Sequence, residues 1–223
     1  AAPSADYAYG AFQRGEYLTA LGIATQQAEK GDHRSMTLLG ELYANGLGVA
    51  RDDAKAVSWY KLAADRGNAD AMFALGIMRM SGRGGAINRE EGAQWLAQAA
   101  KLGHVFAAYD LGLLYLEGSL FPRDVTRAAQ LFRQASDAGN ANAQYALATL
   151  YKEGEGVPKN IEESVRLMGL AALADNVDAQ VEYAIALFNG TGIAKNEEKA
   201  VEWLDKATRR GSAIAQNRLA RVY

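Results

Sequence analysis

Glycine recurs at an interval of 36 residues along this chain. A strict period without insertion or deletion marks a repeat protein, in which each unit packs mainly on its neighbours. A two-helix unit of this length cannot bury its apolar face alone, so the period constrains the fold more than any other feature. The aligned positions are Gly31, Gly67, Gly103 and Gly139, followed by Asp175 and Gly211.

The period divides the chain into five full repeats with a partial repeat at each end. Residues 1–30 contain a shorter helical hairpin that turns at Gly15, and residues 211–223 hold only the first helix of a further repeat. Because an array normally ends in a polar capping helix, we expect that a longer natural protein is truncated here. We number the full repeats 1 to 5: they are 31–66, 67–102, 103–138, 139–174 and 175–210.

Each repeat has the pattern of two helices joined by a glycine-containing loop. Counted from the first residue of a repeat, position 5 is small, position 9 large and position 10 small, a spacing typical of one face of a first helix. Position 16 is always glycine, which can end a helix in the left-handed conformation. Position 22 is always Asp or Asn, the preferred N-cap of a second helix. We therefore predict an all-α fold: a right-handed superhelical solenoid of antiparallel helical hairpins.

Composition excludes several classes of function. The 223 residues include no cysteine, which excludes a disulfide scaffold, a zinc finger and a thiol nucleophile. With 24 basic and 26 acidic residues the net charge is −2, and this balance argues against nucleic acid as a partner. No apolar run is long enough for direct membrane insertion.

One copy of the repeat carries a recognisable set of motifs. Leu39-Gly40-Glu41-Leu42-Tyr43 is followed by Gly46-Leu47-Gly48-Val49, Asp52, Ala56, Trp59-Tyr60 and Ala63-Ala64. This pattern resembles the Sel-one-like repeat family, a relative of the tetratricopeptide repeat. The resemblance covers residues 31–223 in register and implies an interaction scaffold or adaptor that binds proteins in signalling, envelope regulation or host–bacterium contact. It implies no enzymatic activity and no cofactor. Nothing is carried over from the bacterial branch of the family whose hairpins are bridged by paired cysteines, because this chain has no cysteine.

The resemblance also implies where a partner binds, because the first helices of such arrays line the concave surface. Positions 4, 7, 11 and 14 lie opposite the core face of the first helix. In repeats 2 and 3 these positions are largely aromatic or aliphatic, which predicts a groove for a peptide or a partner helix. The predicted binding residues are Phe73, Ile77, Met80, Phe106, Tyr109, Leu113, Leu116 and Tyr145. The alternative is that position 7 packs between adjacent first helices and belongs to the core.

Other functional readings rest on isolated polar residues. His33 and His104 lack carboxylates at metal-ligand spacing, so we interpret them as solvated or locally bonded. Acidic pairs such as Glu90-Glu91 recur at one register, which indicates helix starts rather than catalytic carboxylates. Arg79 stands where three other repeats have tyrosine, so its stem either lies along the helix pair or its guanidinium pairs with an acid. The alternatives to a monomeric scaffold are an envelope-associated hydrolase and a structural self-association module.

The first residues, Ala1-Ala2-Pro3-Ser4, match a mature end left by secretory cleavage at small residues, or the boundary of an expressed fragment. We expect a periplasmic or secreted bacterial protein, with a cytoplasmic location as the alternative.

Overall fold

All regular structure in residues 5–222, the part of the chain that the computed structural model describes, is α-helical. The predicted all-α fold is therefore confirmed. The helices in that range are α1 (Ala5–Gln13), α2 (Tyr17–Glu29), α3 (His33–Asn45), α4 (Asp53–Asp65), α5 (Ala69–Ser81), α6 (Arg89–Lys101), α7 (Val105–Glu117), α8 (Val125–Asp137), α9 (Ala141–Glu153), α10 (Ile161–Leu173), α11 (Val177–Asn189), α12 (Glu197–Arg209) and α13 (Ala213–Leu219).

The helices form two compact units, an N-terminal unit that ends at Ala108 and a C-terminal unit that begins at Tyr109. In the N-terminal unit α1 pairs with α2, α3 with α4 and α5 with α6. In the C-terminal unit α9 pairs with α10 and α11 with α12. Within each unit the second helix of one hairpin also packs on the first helix of the next, as α4 does on α5 and α10 on α11.

The loop inside each repeat is closed by the glycine at position 16. Gly46 ends α3 with φ +66°, and its N–H donates to the Leu42 carbonyl. The Asp52 N–H then donates to the Tyr43 carbonyl at 3.0 Å, and the Asp52 side chain accepts from the Lys55 N–H at 3.0 Å. The predicted N-cap is confirmed in every repeat, since Asn88, Asp124, Asn160 and Asn196 make the same side-chain bond.

The first helices have a second set of caps, at position 2, that the sequence analysis did not identify. The residues that cap in this way are Asp32, Asn68, Asn140, Asn176 and Ser212. His104 takes this place before α7, where its Nδ1 accepts from the Ala107 N–H at 3.1 Å. The position therefore accepts any side chain that can offer an acceptor to the backbone of the first turn.

Small residues at fixed positions bring the two helices of a repeat together. Alanine at position 33 of the second helix is fully buried in all five repeats. At position 10, a β-carbon built on Gly112 would lie 2.6 Å from Cε1 of Phe132, so the ring packs on the glycine backbone. The small residue at position 10 therefore lets the two helices approach closely.

Successive repeats are joined through the glycine at position 18. Gly84 has φ +73°, and a β-carbon on it would lie 2.5 Å from the Asp53 carbonyl oxygen at the start of α4. The neighbouring Arg83 donates to the Asp53 carboxylate at 2.8 Å and to the Ala44 carbonyl at 2.8 Å. Gly48, Gly156 and Gly192 lie in the same way against Tyr17, Val125 and Ile161. The loop of one repeat thus rests on the second helix of the repeat before it.

Residues 1–4, on which the expected secretory cleavage depends, lie outside the described residues. Across the described residues, no helix combines the length and apolar character that spanning a membrane requires.

Candidate partner-binding surface

Three of the predicted binding residues lie together in the N-terminal unit. Phe73 on α5 is half-buried, and its ring centroid is 6.2 Å from that of Phe106 at the start of α7. Phe106 is 58% exposed, and Ile77, one turn along α5 from Phe73, is 38% exposed. We call Phe73, Ile77 and Phe106 the N-terminal apolar patch.

His104 fixes one edge of this patch. Its ring stacks on Phe73 with the centroids 4.5 Å apart, and its side chain is only 10% exposed. Because Nδ1 accepts from the Ala107 N–H, the ring proton of the neutral imidazole is on Nε2, which lies 3.1 Å from Oδ1 of Asp70. This hydrogen bond lowers the pKa of the Asp70 carboxyl. The interpretation of His104 as locally bonded is confirmed, and His33 is also bonded, with its Nδ1 3.0 Å from Nδ2 of Asn68.

A second carboxylate lies close to Asp70. Glu41 on α3 occupies position 11, the register position that Ile77 has in the next repeat. Burial, with the neighbouring Asp70 carboxylate, raises the pKa of Glu41, and no hydrogen bond or ion pair to its carboxylate forms within residues 5–222. Burial also raises the pKa of Tyr9 to about 12, and the charges of Glu41 and Asp70 add to this shift. Glu41 and Asp70 therefore form a pair of neighbouring carboxylates at one edge of the patch.

The C-terminal unit holds the other predicted residues that are accessible. Tyr109, Leu116 and Tyr145 line a cavity of about 350 Å³ together with Asn142, Thr149, Asn176 and Asp178. The Tyr109 ring also packs on Phe132, with the centroids 5.8 Å apart, and burial raises the pKa values of Tyr109 and Tyr145. Leu113 is 39% exposed on α7.

Met80 is the predicted residue that the structure places elsewhere. A β-carbon on Gly92 would lie 2.4 Å from Cγ of Met80, so this side chain packs between α5 and α6. Arg79 turns in the same direction, and its Nε lies 3.3 Å from Oε1 of Glu91. Of the two alternatives for Arg79, the structure therefore shows the pairing of its guanidinium with an acid. Glu91 also accepts from the Trp95 indole N–H at 3.5 Å, so Arg79 belongs to a polar contact inside the hairpin.

Position 7 contributes to both the core and the surface. Thr37 and Val181, which hold this position in repeats 1 and 5, are buried. Phe73, Tyr109 and Tyr145, which hold it in repeats 2 to 4, are half-buried. The larger rings of repeats 2 to 4 are therefore partly accessible to solvent.

The acidic pairs do not form a reactive cluster. They lie in the first turns of α6, α10 and α12, as the sequence analysis predicted. Among the residues that the structure describes, no three histidine or carboxylate side chains come close enough to hold a metal ion.

No prediction covered a cleft in the C-terminal unit that α10, α11 and α12 line. Its volume is about 810 Å³, and its apolar walls include Leu170, Leu173, Tyr183 and Trp203. Gly169 on α10 leaves room for it, and Leu173 is 70% exposed. A signal was present in the sequence, since position 35 is charged in the other four repeats and is leucine only here.

The hairpin fold and the exposed rows on the first helices define a helical-repeat protein. The model of the Sel1 repeat matches residues 33–68, 69–104, 105–140, 141–176 and 177–212, each two residues C-terminal to the repeats defined above. The chain belongs to the Sel1 repeat family. Proteins of this family are generally interaction scaffolds without enzymatic activity.

Solved structures give the same result. A Sel1 repeat protein from Oxalobacter formigenes is 28% identical with a TM-score of 0.88, over 99% of this chain and 90% of that one. A protective antigen of uropathogenic Escherichia coli with an SLR fold is 30% identical with a TM-score of 0.86, over 93% of this chain. This chain spans only 44% of the length of that antigen.

A more distant structure shares the fold alone. An immunity protein from Pseudomonas aeruginosa is 19% identical with a TM-score of 0.57, over 96% of this chain and 84% of that one. No curated protein matches the sequence.

Proposed function

We propose that this chain is a scaffold that binds a peptide or an extended segment of a partner protein on the outer faces of its first helices. It acts as a monomer and contributes no chemistry of its own to the partner. Scaffolding is the general role of Sel1 repeat proteins. The binding face proposed for this chain rests on its own exposed residues.

The observation that supports this face is its exposed apolar row. Phe106, Leu113 and Ile77 are each more than one third exposed, although every first helix already buries an apolar face in the core. Covering a large apolar side chain contributes about 1.5–3 kcal/mol relative to leaving it in water. Isolated exposed apolar residues are common, but Ile77 and Leu113 both hold position 11 on successive first helices. Such a repetition is typical of an interaction surface.

The test is selection from a random peptide display library with the purified protein as bait. The Phe106→Ala/Leu113→Ala variant removes two exposed side chains from the first helices. The matched control is Leu170→Ala/Leu173→Ala, which removes two exposed leucines from a second helix. We expect peptides selected on the wild type to bind the control and to lose affinity for the first variant. Peptides that bind both variants equally would contradict the proposed face.

The monomeric state is tested separately by light scattering over a range of concentrations. A constant mass supports a scaffold that binds other proteins, and a mass that rises with concentration supports the self-association module. The envelope location stays a prediction and is tested by fractionating the parent cell.

A further inference from the structure

We propose that the N-terminal apolar patch binds a segment in which a basic side chain, lysine or arginine, lies next to an apolar one. This inference rests on the proposed function and specifies the chemistry of the partner at one part of that face. It concerns only residues of the N-terminal unit.

The apolar half of the partner is indicated by Phe106 and Ile77. Both side chains are exposed. Their neighbour Phe73 is held in position by the stacking of its ring on His104. A rigid surface of aromatic edges and an aliphatic side chain takes up an apolar residue without ordering flexible groups of its own.

The basic half is indicated by the charges around the patch. Asp70 keeps its negative charge because His104 donates to it, yet 77% of its side chain remains accessible. Glu41 is half-buried and has no cationic partner within residues 5–222. Two carboxylates that repel one another beside a low-dielectric surface are relieved by an incoming ammonium or guanidinium group.

Three arginines of the same unit are already engaged. Arg34, on the same helix as Glu41, lies 2.9 Å from Asp6 and over the ring of Tyr9. Arg79 pairs with Glu91 inside its hairpin, and Arg83 pairs with Asp53. None of these three cations pairs with Glu41, which leaves its charge for a partner to complement.

The aromatic rings favour a cation for a second reason. The faces of aromatic rings attract ammonium and guanidinium groups, and Phe73 and Phe106 lie within reach of a side chain that contacts Asp70. A basic residue bound here would meet a carboxylate and a ring at once, and the apolar neighbour would cover Phe106. A neutral apolar segment would leave Glu41 more deeply buried and still unpaired, at a cost.

The experiment uses the random peptide library with the full chain and two charge variants. Glu41→Gln/Asp70→Asn removes both negative charges, and the Asn carbonyl can still accept from His104. The control, Glu29→Gln/Glu90→Gln, removes two exposed carboxylates from second helices, so that the net charge is the same. Thermal unfolding of both variants checks that each is folded.

We expect peptides from the wild type to be enriched in lysine or arginine next to apolar residues. Their affinity should fall about tenfold for Glu41→Gln/Asp70→Asn, remain unchanged for the control, and weaken with added salt. Peptides that depend on Phe106 but show no basic enrichment, or that bind the charge variant equally, would overturn this inference and leave the proposed function intact. If no selected peptide depends on Phe106, the proposed function itself fails.

Discussion

The ring of Tyr60 lies directly against the backbone of Gly40. A β-carbon built on Gly40 would be 2.5 Å from both Cδ1 and Cε1 of the tyrosine ring, which is itself buried. In repeat 5 the same two positions hold Ala184 and Leu204. In repeats 1 and 5 a larger residue at position 30 therefore goes with a smaller one at position 10, because the helices of one hairpin share a fixed space between them.

The match predicts a compensating pair of substitutions. Gly40→Ala should lower the free energy of unfolding by about 1–3 kcal/mol, since the new methyl group overlaps the ring. In Gly40→Ala/Tyr60→Leu, which copies repeat 5, the alanine should cost less than it does beside tyrosine. Urea unfolding of the wild type, both single variants and the double variant measures the coupling. Additive effects would show that the two positions are independent.

The glycines of the repeat should differ in their tolerance of alanine. Gly67 and Gly84 both have positive φ, +84° and +73°, but only Gly84 is closely packed, against the Asp53 carbonyl. Gly67→Ala should cost about 1 kcal/mol of backbone strain. Gly84→Ala should cost about 1–3 kcal/mol more because it displaces the loop from α4.

The comparison uses the shift in thermal midpoint of the two variants, with Gly67→Ala as the control for strain alone. Equal shifts would mean that the contact between Gly84 and α4 contributes nothing to stability.

Asp175 is the one non-glycine residue with positive φ, at +65°, among residues 5–222. It stands at position 1, where the other repeats have glycine, so Asp175→Gly should stabilise the protein by about 1 kcal/mol. The variant loses an ion pair with Arg210, 3.0 Å away, but both side chains are more than half exposed and such pairs contribute about 0–1 kcal/mol.

Asp175→Ala is the matched control, because it removes the carboxylate and keeps the strained backbone. We expect its thermal midpoint below that of the wild type and that of Asp175→Gly above it. A glycine variant no more stable than the alanine variant would show that the strain is absent.

Asp53 predicts a dependence of stability on pH. Hydrogen bonds from Arg83 and Arg51 lower its pKa below the ordinary value of 3.8. A carboxyl whose pKa is lowered in the folded state stabilises the protein above its unfolded pKa, and this contribution is lost as the pH falls toward the folded pKa. The Asp53→Asn variant should therefore unfold at a lower temperature than the wild type at neutral pH, with the difference shrinking below about pH 4.

Circular dichroism melting curves across this pH range measure the difference. Asp65→Asn, which removes an exposed carboxylate bonded to Lys61 at the end of the same helix, is the control and should cost less at neutral pH. A difference for Asp53→Asn that stays constant with pH would contradict the role of the two arginines.

The local architecture was predictable because the sequence repeats it. The glycine at position 16 and the Asp or Asn at position 22 act on the backbone within a few residues of themselves, so their roles as helix ends can be inferred from spacing alone. The same holds for the small residues that permit close helix contacts. The position-2 caps could have been found in the same way, but His104 interrupts their Asp and Asn pattern.

The candidate surface was only partly predictable. Register places Met80 on the same face as Ile77, yet the absence of a side chain at Gly92 lets Met80 turn toward α6. Likewise, the side chain of Leu173 is exposed beside a cleft whose walls include Gly169 and Trp203. Trp203 belongs to the following repeat, so the sequence around Leu173 does not by itself reveal the cleft.

The sequence by itself therefore determined the helices, their ends and the 36-residue unit, since these depend on local backbone preferences and on periodicity. Only the tertiary structure decided which side chains of the first helices remain available to a partner. Residues distant in the chain set that outcome: His104 holds Asp70, Gly92 admits Met80, and Glu41 is left without a cation. Packing between helices selects one of the side-chain directions that a single helix allows.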